Sequence, residues 1–343
     1  MKSVVCYGPK DIRVEETELA AVGATDVLVK VEAGGICGSD LHYYHQGGFG
    51  AVRIQQPMIL GHEIAGTVIE TGSEVSNVSP GDLVAVSPSV PCGECEYCRK
   101  AMFNHCLDMR FYGSAMRMPH VQGAFSEKIV AKSTQCHAFP KGTSPFEAAC
   151  AEPFSVGLHA VKRAGSLIGK RVLVTGAGPI GALVVAAAKI HGAIEIVATD
   201  VVDEALEKVL LLGADKVINV ATNADGLKVY EAGKGYFDVV IECSGNQSAM
   251  ISALAVIRPG GRMVQLGLGG DVTLPQNVIV AKEIEMCGSF RFHEEFAWAV
   301  ELIGSKRVPL EPLLTGVFPM EDAVKAFEAA SDRSKSMKVQ ITF

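Results

Sequence analysis

No run of basic residues occurs in this 343-residue chain, whose net charge of −7 comes from 31 Lys and Arg set against 38 Asp and Glu. Without a cationic stripe there is no electrostatic footprint for a phosphodiester backbone, so nucleic acid is excluded as the expected partner. A long apolar run is also missing. The longest, near IGALVVAAAKI, stops at Lys189, short of the roughly 18 residues a membrane span requires. The opening MKSVVCYGPK has no apolar signal core, and no low-complexity segment, tandem repeat or long Pro/Ser linker is found. These absences leave the expectation of a soluble, reduced, cytoplasmic protein that binds neither membrane nor nucleic acid. With 48% hydrophobic and 20% charged residues, a chain of this length is expected to fill two cores rather than one.

Two rhythms divide the chain. Up to about residue 150, short β-rich runs such as DVLVKVEAGGICGSD and GAFSEKIVAKSTQCHAFP are broken by Gly, Pro and Asp turns, which predicts a small irregular β barrel or sandwich. From 151 to 288 the pattern becomes strand, helix, strand: RVLVTGAG, PIGALVVAAAKIHG, EIVATD, DEALEKVLLLGA, FDVVIECSG. Apolar strands alternating with helices indicate a doubly wound α/β domain around a parallel sheet. Residues 289–343 hold two predicted helices, around 293–304 and 320–331, and a closing strand MKVQITF. They do not continue the α/β rhythm, so the chain is expected to return to the first domain.

Ten cysteines are present, four of them crowded into PCGECEYCRKAMFNHC as Cys92, Cys95, Cys98 and Cys106. Spacings of three, three and eight let a short loop converge four sulfurs at tetrahedral angles, as a structural Zn²⁺ requires. Disulfides would need an oxidising compartment, and the other cysteines are scattered singly. An iron–sulfur cluster takes the same ligands, but the Cys-Pro continuation common in its motif is absent. Four protein ligands leave no open position, so any chemistry lies elsewhere.

Gly176-Ala177-Gly178-Pro179-Ile180-Gly181 stands between a predicted strand and helix. The first glycine suits a tight turn, the second lets backbone approach a pyrophosphate, and the third lets helix and strand pack closely. Asp200 ends the next strand, where a carboxylate can accept both ribose hydroxyls; taken alone, it would be read as a helix cap or turn residue. Val201 and Val202 offer no cation for a 2′-phosphate, so NAD is expected over NADP. Further metal ligands are Cys37 in GGICGSDLH, His62 and Glu63 in LGHEIAG, and Glu152 in AEPFSV. His62 and Glu63 are adjacent and would point to opposite faces of a strand unless the backbone turns there.

GGICGSDLH, GHEIAG, the four-cysteine lobe, AEPFSVGLHA and GAGPIG stand in the order found in the zinc-dependent medium-chain alcohol and polyol dehydrogenases, which the chain resembles over nearly its whole length. CLDMRFYGSAMRMPHVQGAF and GSFRF resemble the L-idonate 5-dehydrogenase branch, with sorbitol, xylitol and threonine dehydrogenases as close relatives. The resemblance implies a GroES-like catalytic domain over 1–150, a Rossmann NAD-binding domain over 151–288 and a return to the catalytic domain over 289–343. It also implies two Zn²⁺ per chain, one structural and one catalytic. The catalytic ion would be held by Cys37 and His62, with Glu63 or Glu152 completing the set and Asp40 orienting His62. Ser39 would relay the hydroxyl proton and His42 would pass it on.

The implied reaction is reversible oxidation of a secondary alcohol, L-idonate to 5-keto-D-gluconate in the idonate branch and a polyol or L-threonine in the relatives. A sugar acid needs a cation for its carboxylate. Arg110 and Arg291 are the candidates, Arg117 and His120 the lesser ones, and Tyr43 would line the sugar's CH face. A homodimer or homotetramer is implied, with GGRMVQLGLGGDVTLP as the expected edge segment. A non-catalytic NAD-binding redox sensor is the alternative of another class. The set Cys37, Ser39, His62 and Glu152 argues against it, because a sensor needs no open metal position.

Overall fold

A computed structural model describes residues 1–343. The apolar runs of the second half form its parallel sheet. RVLVT (Arg171–Thr175) and FDVVIE (Phe237–Glu242) bury nearly every side chain, as strands covered on both faces must. Across the sheet the order is Lys216–Asn219, Glu195–Asp200, Arg171–Thr175, Phe237–Glu242, Ile257–Gln265, Glu285–Gly288, every neighbour parallel. The first of these strands in the chain therefore lies beside the fourth, and the winding reverses between them. A crevice opens at that point, beyond the carboxyl ends of the strands. The expected doubly wound sheet is the one observed. Its edges are Lys216–Asn219 and Glu285–Gly288, so residues 260–275, expected at the edge, begin one strand in from the latter.

The β-rich half is organised on Asp26–Gly35. That strand pairs antiparallel with Glu63–Thr71, with Lys128–Lys132 and, at its far end, with the closing strand Lys338–Thr342. Leu314–Pro319 runs parallel to the closing strand, so the C-terminal segment completes the sheet of the β-rich half, while the N-terminal strand Lys2–Gly8 lies in a separate three-stranded sheet. The C-terminal helices are found at Glu295–Gly304 and, after a 3₁₀ turn, at Ala323–Ser331. Between the two sheets runs Ala151–Ala164, packed against Pro179–Ile190 and against Glu295–Gly304. No helix is long and apolar enough to cross a membrane.

One stretch departs from its β reading. The strand in DVLVKVEAGGICGSD stops at Gly35, and Gly38–Gln46 is a helix. Asp40, in its first turn, accepts from the Cys37 backbone N–H at 2.9 Å, a backward bond that satisfies a helix-start donor and outweighs the β pattern. This strand-to-helix corner delivers Cys37, Ser39, Asp40 and His42 to one place.

Candidate active site

Cys37, His62 and Glu63 converge so that one donor atom from each lies within 4.8 Å of the others. The adjacency of His62 and Glu63 is resolved by the backbone. Gly61 has φ +90, a left-handed geometry that glycine adopts without a Cβ penalty. The strand begins only at Glu63, so strict alternation does not yet govern His62. Asp40 is fully buried and accepts from Cys37 N at 2.9 Å and Gly61 N at 3.1 Å. It therefore fixes the backbone beside both Cys37 and His62. Its oxygen lies 3.8 Å from His62 Nδ1, longer than a hydrogen bond, so its hold on His62 runs through Gly61.

Glu152, in the first turn of the bridging helix, is 6% exposed. Burial first, then the charges of Glu63 and Cys37, push its carboxyl up to about 8 despite His62. Cys37 is pushed up to about 12, again by burial and then by Glu63. Against these acids the structure sets Lys338. Its ammonium donates to the two Glu63 oxygens at 2.7 and 2.9 Å and to Ile36 O at 3.3 Å, with both side chains almost wholly buried. A thiol, an imidazole and carboxyls crowded where their anionic forms are penalised match the donor set and charge demand of a divalent zinc site. His62 Nδ1 is buried without a hydrogen-bond partner.

Sequence reading missed Lys338. Alternation in MKVQITF assigns Lys338 and Gln340 to solvent, yet they are 4% and 1% exposed. The strand is interior to its sheet and covered on that face, where Gln340 donates to Phe146 O at 2.9 Å. The only legible signal was a charged residue in a short strand at the chain's end.

Around the convergence, Phe111 sets its ring 5.4 Å from that of His62. Arg291 lies over Phe111 at 4.3 Å and Phe290 at 5.0 Å, and its Nη2 reaches Met116 Sδ at 3.4 Å. Burial lowers its pKa, opposed by the charges of Glu152 and Tyr43. Arg110 precedes Phe111 in a two-residue strand and is exposed, because neighbours on a strand face opposite ways. The remaining candidates are tied elsewhere. Arg117 binds Leu107 O and lies 3.5 Å from Asp108. His120 is buried, with one ring nitrogen at 2.8 Å from Arg117 O and the other accepting Gln55 N at 2.9 Å. Tyr43 is 1% exposed, and its hydroxyl accepts Ala115 N at 3.0 Å. Ser39 is half-buried beside Cys37, and exposed His42 lies one turn further along the helix.

The glycine turn sits at the sheet's reversal point. Gly176 has φ +86, and a Cβ there would approach Ser244 N to 2.8 Å. A Cβ at Gly181 would collide with Gly176 O, whereas one at Gly178 meets nothing. The backbone is thus bare toward the crevice where the helix Pro179–Ile190 begins, with proline in its first turn; such a helix start is an anion site. Gly178, Pro179 and Ile180 therefore fit a pyrophosphate. Asp200 accepts Ala177 N at 2.6 Å, Val201 N at 2.7 Å and Val202 N at 3.1 Å. The turn role that sequence alone would favour is present, and it clamps the glycine turn.

Beneath the crevice lies a fully buried carboxylate that sequence reading passed over. Glu242 accepts Ser244 N at 2.8 Å, Gly245 N at 3.0 Å, Gln265 Nε2 at 2.7 Å and Thr175 Oγ1 at 3.3 Å, as well as Ser244 Oγ. One side chain ties three strand ends together.

In the four-cysteine lobe, all four sulfurs lie within 4.8 Å of one another. Cys106 Sγ accepts Cys92 N at 3.1 Å, and the backbone N–H groups of Cys98 and Leu107 lower the Cys95 thiol to about 6. Amides aimed at sulfur favour the Cys92 and Cys95 thiolates, whereas burial pushes the Cys98 thiol up to about 12; the convergence of four sulfurs fits a tetrahedral metal.

Residues 23–141 match the alcohol dehydrogenase GroES-like domain, and residues 179–305 match the zinc-binding dehydrogenase family. The chain is 42% identical to the L-idonate 5-dehydrogenase (NAD(P)(+)) of Escherichia coli (strain K12), over 100% of this chain and 98% of that one. It is 37% identical to the sorbitol dehydrogenase of Bacillus subtilis (strain 168), over 99% and 97%. The crystal structure of Escherichia coli L-idonate 5-dehydrogenase superposes with a TM-score of 0.96, covering 100% of this chain and 98% of that one at 42% identity.

Proposed function

This chain belongs to the zinc-binding medium-chain dehydrogenases with an alcohol dehydrogenase GroES-like domain, and we propose that it oxidises a secondary hydroxyl of a sugar acid, L-idonate to 5-keto-D-gluconate, reversibly and with NAD. The observation that carries the substrate class is Arg291. It is a half-buried guanidinium lying against the rings of Phe111 and Phe290, engages no carboxylate, and feels the charge of Glu152. A guanidinium so placed can meet a substrate carboxylate with two parallel hydrogen bonds. Arg110, exposed on the opposite strand face, becomes the lesser candidate.

Cys37 and His62, with Glu63 or Glu152, would hold a Zn²⁺ that would supply Lewis acidity to the reacting hydroxyl. Ser39 Oγ accepts that proton, and His42, at helical spacing i+3 and open to solvent, takes it outward. Lys338 holds the Glu63 carboxylate. Asp200 keeps the glycine turn shaped for the cofactor and accepts its ribose hydroxyls, and Val201 and Val202 leave a 2′-phosphate without a cation. Cys92, Cys95, Cys98 and Cys106 hold the second, structural Zn²⁺. The open edge at Glu285–Gly288 supports a homodimer or homotetramer joined through the parallel sheets. The cytoplasm is the proposed compartment.

The test is NADH absorbance of the zinc-replete protein with NAD or NADP against L-idonate, D-gluconate, sorbitol, xylitol and L-threonine, repeated with Arg291→Ala and Arg110→Ala. Activity confined to sugar acids, with the KM for L-idonate raised at least tenfold in Arg291→Ala, is the expected result. Turnover of sorbitol or threonine with an unchanged KM in both variants refutes the substrate assignment. NAD binding without any turnover would point to a sensor.

A further inference from the structure

Arg291 has φ +54, a conformation that costs a residue with a Cβ and persists only where its surroundings enforce it. The enforcement comes largely from the cysteine lobe. Asn104 Nδ2 donates to Phe290 O at 3.0 Å, immediately before Arg291. The His105 ring stacks on Phe290 at 5.9 Å and 28°. Phe103 lies 4.2 Å from the His293 ring, two residues after Arg291. On that far side, His293 N donates to the buried Glu295 at 2.9 Å. The guanidinium itself rests on Phe111 and Met116, which follow the lobe directly. Cys106 stands between the two groups, with Phe103, Asn104 and His105 before it and Phe111 and Met116 after it.

We propose that the cysteine lobe positions Arg291, so that the segment Phe103–His105 determines specificity for the substrate's charged end. The proposal rests on the reading of Arg291 as the carboxylate partner. Phe103, Asn104 and His105 are positioning residues: they touch the backbone and rings on either side of Arg291. Releasing Phe290 O lets residue 291 relax toward ordinary φ, which swings the guanidinium off Phe111. The substrate's carboxylate then loses its partner while the hydroxyl end keeps its own.

The experiment is a double-mutant cycle of Asn104→Ala and Arg291→Ala on the full-length, zinc-replete enzyme with L-idonate, read as KM and kcat separately. Hydrogen exchange of segment 289–293 supplies a readout independent of turnover. Expected are a five- to tenfold rise in KM for Asn104→Ala with kcat within twofold, faster exchange confined to 289–293, and a KM for the double variant no higher than that of Arg291→Ala alone. Phe103→Leu, which retains an apolar side chain against His293, should keep KM near wild type, whereas Phe103→Ala should raise it. An unchanged KM in Asn104→Ala alongside a raised one in Arg291→Ala overturns the positioning role and leaves the carboxylate reading standing. Full additivity of the two substitutions overturns it as well. An unchanged KM in Arg291→Ala overturns both.

Discussion

Lys338→Met removes the ammonium from a buried group of acids while keeping the side chain's length. In the native protein, burial works against the ammonium, but Glu63 and Cys37 outweigh it and hold its pKa above the ordinary lysine value. Two bonds to Glu63, at 2.7 and 2.9 Å, and one to Ile36 O vanish together. Breaking a buried pair from one side costs about 3–5 kcal/mol, because the remaining carboxylate is stranded. Chelator-treated Lys338→Met should therefore lose about that much in urea unfolding. Adding Glu63→Met should recover most of it, since replacing a buried ion pair by apolar residues of similar volume is close to neutral. Zinc supplies a new cation for the stranded carboxylate. If Glu63 is the carboxylate ligand, competition against a chromophoric chelator should show the single variant binding catalytic zinc about 2 kcal/mol more tightly, roughly thirtyfold. If Glu152 is the ligand instead, affinity should stay within about threefold, less than 1 kcal/mol. A loss of stability under about 1 kcal/mol, far below the one-sided cost, or equal destabilisation in the double variant, would refute the reasoning.

Glu242→Gln exchanges one acceptor oxygen for a donor facing other donors. It should lower stability by about 2–3 kcal/mol, the scale of a charge-assisted bond lost inside a protein, and weaken NADH binding in a fluorescence titration; an unchanged dissociation constant would show that the strand ends hold themselves. For Glu295, burial alone would raise the carboxyl, but His159 at 3.0 Å, His293 N and Lys162 outweigh it and hold the pKa far below the usual range. A depressed folded pKa means that stability is fully present above the unfolded value of about 4.3. The difference between wild type and Glu295→Gln should thus be constant at neutral pH and shrink as pH falls below that point in urea titrations at stepped pH; a gap that widens on acidification contradicts the assignment.

Residues close in sequence made much of this protein legible. The spacing of Cys92, Cys95, Cys98 and Cys106 confines four sulfurs to one loop whatever the rest of the chain does. The Gly176–Gly181 turn is likewise set by a strand, a tight reversal and a helix start within a dozen residues. The alternation of apolar strands with helices left little choice but a covered parallel sheet. Cys37 and His62 were recognisable from their motifs, although the corner that brings them together was hidden in a run read as β.

Tertiary structure decided what depended on distant pairing. Lys338 meets Glu63 across 275 positions only because the closing strand enters beside Asp26–Gly35, and no local pattern marks a lysine for burial. Arg110 and Arg291 are equivalent as letters. The pleat turned the first to solvent, while the packing of Phe290 against the cysteine lobe held the second over Phe111. Glu242 looked like one more strand-end carboxylate until three strand ends closed on it. Local spacing constrains local geometry through chain stiffness, but a buried charge is settled only when the whole fold has chosen its neighbours.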